Sequence, residues 1–271
     1  MPELPEVETT KRGIEPYAAG KKINRVIIRE TRLRWPIPND FAQQLEHHTI
    51  RSIQRRAKYI LFKLDNGFFM IHLGMSGSLR IVEQRTPPEK HDHVDFQLAG
   101  KYCLRFNDPR RFGSILWLGE HPEQHALLNK LGPEPFDKVF DGDLLFAKSR
   151  KKKVAVKNFI MDNHVVVGVG NIYANEALFM SGIRPGKAAG RVTRAQYQKL
   201  TEAIVKVLSA SIEMGGTTLR DFVGGDGKPG YFQQTLRVYG RADLPCQKCA
   251  SDIKLIRLGQ RSTYYCPQCQ S

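Results

Sequence analysis

The chain has 271 residues, with 42 Lys and Arg against 27 Asp and Glu for a net charge of +15, and 41% of its residues are hydrophobic. That length suggests two domains, each burying its own core, and that apolar content excludes a disordered basic tail. No run approaches the ~20 apolar residues of a membrane span, and the polar start MPELPEVETTKRG lacks a signal-peptide core, so a cytosolic protein is expected. The positive excess favours a polyanionic partner, although ribosome-associated, membrane-surface and merely basic proteins share it.

The chain opens Met1-Pro2-Glu3-Leu4-Pro5-Glu6-Val7-Glu8. Pro5 suits the first turn of a helix and Glu6 and Glu8 suit its positive end, so a helix is predicted to begin immediately after Pro2. From Lys22 to Leu118 the pattern is mostly that of strands, at residues 23–29, 50–64, 68–73, 78–82, 94–98, 102–106 and 114–118. Asp65-Asn66-Gly67 supplies the Asn-Gly pair of a type I′ hairpin and Ala99-Gly100 a second tight turn, and a β-sandwich is expected. Leu131-Gly-Pro-Glu-Pro135 breaks both periodicities and reads as a linker. Beyond it the period becomes helical. Gly168-Val-Gly170 reads as a break between two helices, the second running over 171–181 to Gly182, with Pro185 preventing continuation. Thr193 and Gln196 form a capping-box pattern, followed at helical spacing by Tyr197, Leu200, Ile204, Val207, Leu208 and Ser211, which predicts a long helix to about Met214. Glycines, Asp226 and Pro229 argue for a mobile loop over 217–230.

Four of the five cysteines form Cys246-x-x-Cys249 and Cys266-x-x-Cys269 with sixteen residues between the pairs, the spacing of a four-thiolate zinc ribbon. A disulfide pair or redox motif is the alternative, and it fits a reducing compartment poorly. Cys103 is most simply a small buried hydrophobe. At the other end of the chain, proline after an initiator methionine normally permits removal of that methionine, leaving Pro2 with a secondary amine. Such an amine is a nucleophile, and a nearby helix N-terminus disfavours its protonated form, which starts near pKa ~8. Glu3 stands beside it as a proton donor or acceptor. The plain alternative is an ordinary helix start with an acidic first turn. Taken alone, Lys58 is a strand-edge lysine, Met75 and Phe112 are core residues, and the cluster Lys148, Arg150, Lys151, Lys152 and Lys153 is a solvated face. His91-Asp92-His93 on a strand would turn two rings to one face, which admits a metal.

Pro2-Glu-Leu-Pro-Glu-Val-Glu8, Lys58 within Arg55-Arg-Ala-Lys-Tyr59, Val167-Gly-Val-Gly-Asn-Ile-Tyr173 and Gly259-Gln-Arg-Ser-Thr-Tyr-Tyr-Cys-Pro-Gln-Cys269 together resemble the formamidopyrimidine-DNA glycosylase family. The resemblance spans the whole chain. Leu4 sets it apart from the pyrimidine-directed relative endonuclease VIII, which more often has Gly there, and Asn158 departs from the family at a position where proline is expected. The resemblance implies an α+β protein: a β-sandwich domain with an N-terminal helix over 1–131, a linker over 132–136, a helix-two-turn-helix domain over 137–235 and a zinc ribbon over 236–271. It implies a monomeric glycosylase and abasic-site lyase acting on double-stranded DNA that carries oxidised purines or abasic sites. Pro2 would attack C1′, Glu3 and Lys58 would move protons, and Arg261 would act in δ-elimination, first as a clamp on phosphate. Met75, Arg110 and Phe112 would fill the place of the turned-out nucleotide, His91, Lys152 and Asn171 would contact DNA, and Cys246, Cys249, Cys266 and Cys269 would hold one structural Zn2+. The 217–230 segment would close over the everted base. An endonuclease VIII-like enzyme and a non-catalytic zinc-ribbon DNA-binding protein are the competing readings; the second gives no reason for Pro2-Glu3 or Lys58.

Overall fold

The computed structural model describes residues 2–216 and 232–271, so the 217–230 segment and Met1 lie outside the described residues. The chain divides into two compact units, one drawn mainly from the residues up to Asn129, the other from Lys130–Ser211 and Gln234–Ser271. No described helix is long and apolar enough to cross a membrane.

The first unit opens with α1 (Leu4–Ala18), followed by β1 (Ile23–Ile28), a short α2 (Phe41–Leu45), β2 (Ser52–Arg56), β3 (Tyr59–Leu64), β4 (Gly67–His72), β5 (Ser78–Glu83), β6 (Asp92–Leu98), β7 (Tyr102–Asn107) and β8 (Ser114–Gly119). They form two four-stranded antiparallel sheets, ordered β1-β6-β7-β5 and β2-β3-β4-β8. Alternate strand residues, such as Ile60, Phe62 and Leu64 of β3 and Val94, Phe96 and Leu98 of β6, join one core, and the aromatic rings meet there. Phe62 stacks on Phe69 at 4.4 Å, and Phe69 on Phe96 of the opposite sheet at 5.5 Å. Val7, Ile14 and Ala18 of α1 join the same core. Cys103 is buried as expected; desolvation, with the charge of Asp95 beside it, pushes its thiol up to about 12, so it packs as an inert apolar group.

Two turns of this unit differ from the sequence expectations. The single strand over 50–64 is a hairpin: β2 and β3 pair with Arg56 opposite Tyr59, and Ala57 turns the chain at φ 53°. No Gly or Asn marks that turn; instead the Arg55 guanidinium donates to the Ala57 carbonyl at 3.1 Å. The 65–67 hairpin forms, yet it is not type I′, because neither Asp65 nor Asn66 takes a positive φ. Both side chains are engaged elsewhere, Asp65 accepting from the Thr49 N–H at 2.9 Å and Asn66 donating to the Gln44 carbonyl at 2.9 Å. Those distant bonds fix the turn more firmly than the local dipeptide preference.

The second unit contains α3 (Gly142–Ser149), α4 (Val156–Ile160), α5 (Asn171–Met180), most of α6 (Arg194–Glu213) and the hairpin β9 (Lys254–Leu258) with β10 (Arg261–Tyr265). The α6 capping box is present in both directions: the Gln196 N–H donates to Thr193 Oγ1 at 3.2 Å and the Thr193 N–H to Gln196 Oε1 at 3.1 Å. Gly182, at φ 72°, ends α5, and the Ile183 N–H reaches back to the Leu178 carbonyl at 3.0 Å. The sequence reading did not anticipate α2 and α3, which at five and eight residues are too short to show a helical period; α4 is the helix that precedes the Gly168-Val-Gly170 break.

Candidate active site

At the start of α1, Pro2 is buried and Glu3 is 2% exposed. Glu3 is the N-cap residue: its N–H donates to Glu6 Oε2 at 2.8 Å, and its carbonyl accepts the Val7 N–H at 3.1 Å. Helix geometry thus fixes the backbone that carries Pro2, with the positive end of the helix beside its nitrogen. One turn on, Glu8 accepts from Arg12 Nε and from Arg55 Nε, each at 2.9 Å. Burial raises the Glu8 carboxyl, but the hydrogen bonds and charges of Arg12 and Arg55 outweigh it and hold the group below its ordinary value.

Arg55 also holds the Ala57 carbonyl, so one guanidinium ties α1 to the two-residue turn that carries Lys58. Lys58 therefore stands half-buried in a hairpin turn, where the sequence reading had put it within a strand beside Ile60. The missing signal was the Arg55 contact, which is long-range on its Glu8 side. Nearby, burial and then the charges of Lys58 and Arg34 push His72 from 6.5 down to about 4, so its imidazole is neutral at pH 7. The Gly74 N–H donates to His72 Nδ1 at 3.0 Å, which leaves the ring proton on Nε2.

Beside His72 lies a cleft of about 770 Å³, lined by Arg32, Leu33, Arg34, Gly74, Met75, Arg110, Arg111 and Phe112 as well. Met75 is 39% and Phe112 45% exposed, so neither is the core residue that its type alone would suggest. Arg32 holds Glu30 at about 2 through its side chain and backbone N–H, and Arg111 pairs with the same carboxylate at 3.1 Å. Neither Arg34 nor Arg110 pairs with a carboxylate among the described residues; Arg110 lies over the Phe112 ring at 5.0 Å. Unneutralised cations around exposed apolar tips suit a polyanion between whose stacked groups a side chain can insert. His91, at φ 73° just before β6, is half-buried and its ring lies 6.1 Å from that of His93. His93 Nε2 is committed to the Asp108 carbonyl at 2.8 Å, so the pair does not read as a metal site.

In the second unit the four cysteine sulfurs lie within 4.8 Å of one another, with separations of 3.4, 3.5 and 3.9 Å among them. A tetrahedral centre with Zn–S near ~2.3 Å needs S···S separations of roughly 3.8 Å, so the cluster fits one zinc ion with its shell closed by thiolates. The zinc is structural. Arg261 is exposed at the first position of β10, next to the Gly259-Gln260 turn, as the sequence reading expected. Polar side chains of two helices grip this strand: Lys157 donates to the Ser262 carbonyl at 3.1 Å and to Thr263 Oγ1 at 2.7 Å, Asn171 donates to the Ser262 carbonyl at 3.1 Å, and Asn175 accepts the Tyr264 N–H at 2.8 Å. Glu176, 2% exposed, receives the N–H groups of Arg237, Val238 and Tyr239 at 2.9 Å each. Sequence reasoning missed Lys157 and Glu176; a lone charge inside an apolar run was the available signal. It also treated the basic cluster as one face. Lys148 is bonded to the His164 carbonyl at 2.8 Å and Arg150 to the Val192 carbonyl at 2.9 Å, while Lys151, Lys152 and Lys153 remain exposed.

Residues 1–115 match the family described as formamidopyrimidine-DNA glycosylase N-terminal domain, residues 131–223 its H2TH domain, and residues 243–271 the zinc finger found in FPG and IleRS. Proteins named formamidopyrimidine-DNA glycosylase from Thioalkalivibrio sulfidiphilus and Methylococcus capsulatus are each 58% identical over 270 residues, with all of both chains covered. Among solved structures, the Lactococcus lactis Fpg in complex with N7-benzyl-Fapy-dG containing DNA matches with a TM-score of 0.92 at 33% identity, and its complex with abasic-site DNA with 0.92 at 32%, again over the whole of both chains.

Proposed function

Because the chain belongs to the formamidopyrimidine-DNA glycosylase family, we propose that it excises 8-oxoguanine and formamidopyrimidines from duplex DNA and then cleaves the strand at the exposed sugar. The observation that carries the chemistry is the N-terminus: Pro2 and Glu3 are buried at the head of α1, and the Glu8–Arg55 pair couples that helix to the Lys58 turn.

C1′ is inaccessible while the base is stacked, so the damaged nucleotide must first leave the duplex. Met75 and Phe112 take the vacated space, Phe112 as the wedge between base pairs, and Arg110 meets the orphaned cytosine. With Met1 removed, the Pro2 nitrogen is a secondary amine. It attacks C1′, the glycosidic bond breaks, and the base leaves with a proton. Glu3 delivers a proton to the ring oxygen as the sugar opens to an iminium on Pro2. The iminium acidifies C2′; loss of that proton, in which Lys58 takes part, expels the 3′ phosphate by β-elimination. A second elimination expels the 5′ phosphate, with Arg261 clamping phosphate because an arginine stays protonated. Hydrolysis of the iminium returns Pro2, and the product is a one-nucleotide gap.

His91, Lys152 and Asn171 hold the DNA backbone, and the bound zinc supports the hairpin that presents Arg261. The work is that of a monomer in the bacterial cytoplasm, where thiolates stay reduced. Borohydride treatment of enzyme with a duplex carrying one oxidised guanine tests the scheme. A covalent protein–DNA adduct is expected, and its absence would leave only a DNA-binding protein. Parallel duplexes with oxidised thymine separate this reading from the endonuclease VIII type, which would prefer them.

A further inference from the structure

We propose that Asp108 is a positioning residue that fixes the Met75 turn to the Arg110–Phe112 turn, so that the three side chains enter a base stack as one preset group. This inference rests on the reading of those three residues as the group that replaces a turned-out nucleotide.

Asp108 is fully buried, and its two carboxylate oxygens serve different loops. Oδ1 accepts from Ser76 Oγ at 2.9 Å, in the residue after Met75, and Oδ2 accepts the Gly113 N–H at 2.7 Å, in the residue after Phe112. Its carbonyl takes the Arg111 N–H at 3.2 Å and His93 Nε2 at 2.8 Å. A buried carboxylate is costly unless its lone pairs are met, and here both carboxylate partners, Ser76 and Gly113, lie next to a wedge side chain. The backbones are equally close. Gly74 sits at φ 65°, and a Cβ on it would strike the backbone of Phe112 and Gly113, so only glycine allows the two turns to touch. Ser76 is buried beneath this junction, while Met75 and Phe112 project from it into solvent. Two independent loops would have to lose conformational freedom at the moment of insertion; two loops locked through Asp108 have already lost it during folding.

The test compares Ser76→Ala, Asp108→Asn, Phe112→Ala and the double variant Ser76→Ala/Phe112→Ala, all checked for folding by thermal melting. Removing the hydroxyl donor to a buried carboxylate should slow single-turnover excision of 8-oxoguanine from duplex DNA about tenfold. Fluorescence of a 2-aminopurine beside the lesion should show slower unstacking, and borohydride trapping on a single-stranded abasic oligonucleotide, which needs no wedge, should be spared. Ser76→Ala should add little to the loss already caused by Phe112→Ala, because it acts through the same wedge. Asp108→Asn keeps an acceptor for Gly113 and gives a second, gentler reading should Ser76→Ala unfold. The proposal is overturned if folded Ser76→Ala and Asp108→Asn excise at the wild-type rate while Phe112→Ala is slow, or if the losses add in the double variant. Wild-type excision by Phe112→Ala would instead overturn the wedge reading itself, and this inference with it.

Discussion

At the scale of single residues, the proposed reaction turns on whether one nitrogen is an amine or an amide. Protein that retains Met1, or carries any residue before Pro2, should give no borohydride-trapped adduct, because an amide nitrogen cannot form the iminium; mass spectrometry of the same sample establishes which terminus was tested. Glu8 is the second decisive residue, since it ties α1 to the Lys58 turn through Arg55. Its carboxyl is held below its ordinary 4.5, so the stabilisation is complete above that value and is lost as pH falls through the lowered folded-state value. Glu8→Gln should therefore cost about 2 kcal/mol near neutral pH, the scale of a hydrogen bond to a charged group in a side chain only 15% exposed. The gap to wild type should close in acid. Urea titrations of both proteins across that range measure it, and a gap independent of pH would mean that the carboxylate charge is not what holds the helix.

At the scale of elements, loops and helix ends divide the labour. Lys152 lies exposed in the connection after α3, and Phe112 in the turn before β8. Lys152→Ala should weaken binding to damaged and undamaged duplexes alike and reduce the slope of log affinity against log salt by about one. Phe112→Ala removes no charge, so its salt slope should match wild type while duplex excision falls, since unstacking costs on the order of a few kcal/mol per step. Salt-dependent binding and single-turnover excision, measured on both variants, test the division. An equal change of slope in both would return Phe112 to the ranks of ordinary surface contacts. The α6 helix supplies a control on stability alone. Thr193→Ala breaks its capping box and should cost about 1 kcal/mol in denaturant titrations without altering the trapped adduct.

At the scale of the whole molecule, the two units have separate sources of stability. The sandwich core draws on residues between Val7 and Ile115, whereas the ribbon has a small cluster around Val238, Cys246, Ile253 and Cys266 and needs its metal. Cys249→Ala or Cys266→Ala should release about one zinc ion per chain and weaken DNA binding, while the near-ultraviolet signal of the sandwich aromatics persists. Full DNA affinity in the metal-free variant would show that the ribbon does not hold DNA.

The sequence by itself determined most of the sandwich strands, the α6 cap and the four-thiolate cluster, and it singled out Pro2 as the proposed nucleophile. Each is written in short-range patterns: alternation, a Thr-x-x-Gln step, paired CxxC turns and a proline at position two. Only the tertiary structure decided how the turns are made and what the buried charges do. The Lys58 turn carries no Gly or Asn and depends on Arg55; the 65–67 hairpin yields its local preference to Thr49 and Gln44; Met75 and Phe112, apolar by type, stand outside the core. Asp108, Lys157 and Glu176 acquire their roles from partners 32, 105 and 61 residues away in sequence. A periodic pattern records which face of an element is buried, but a buried charge must find its specific partners in space, and that pairing is set when the chain packs.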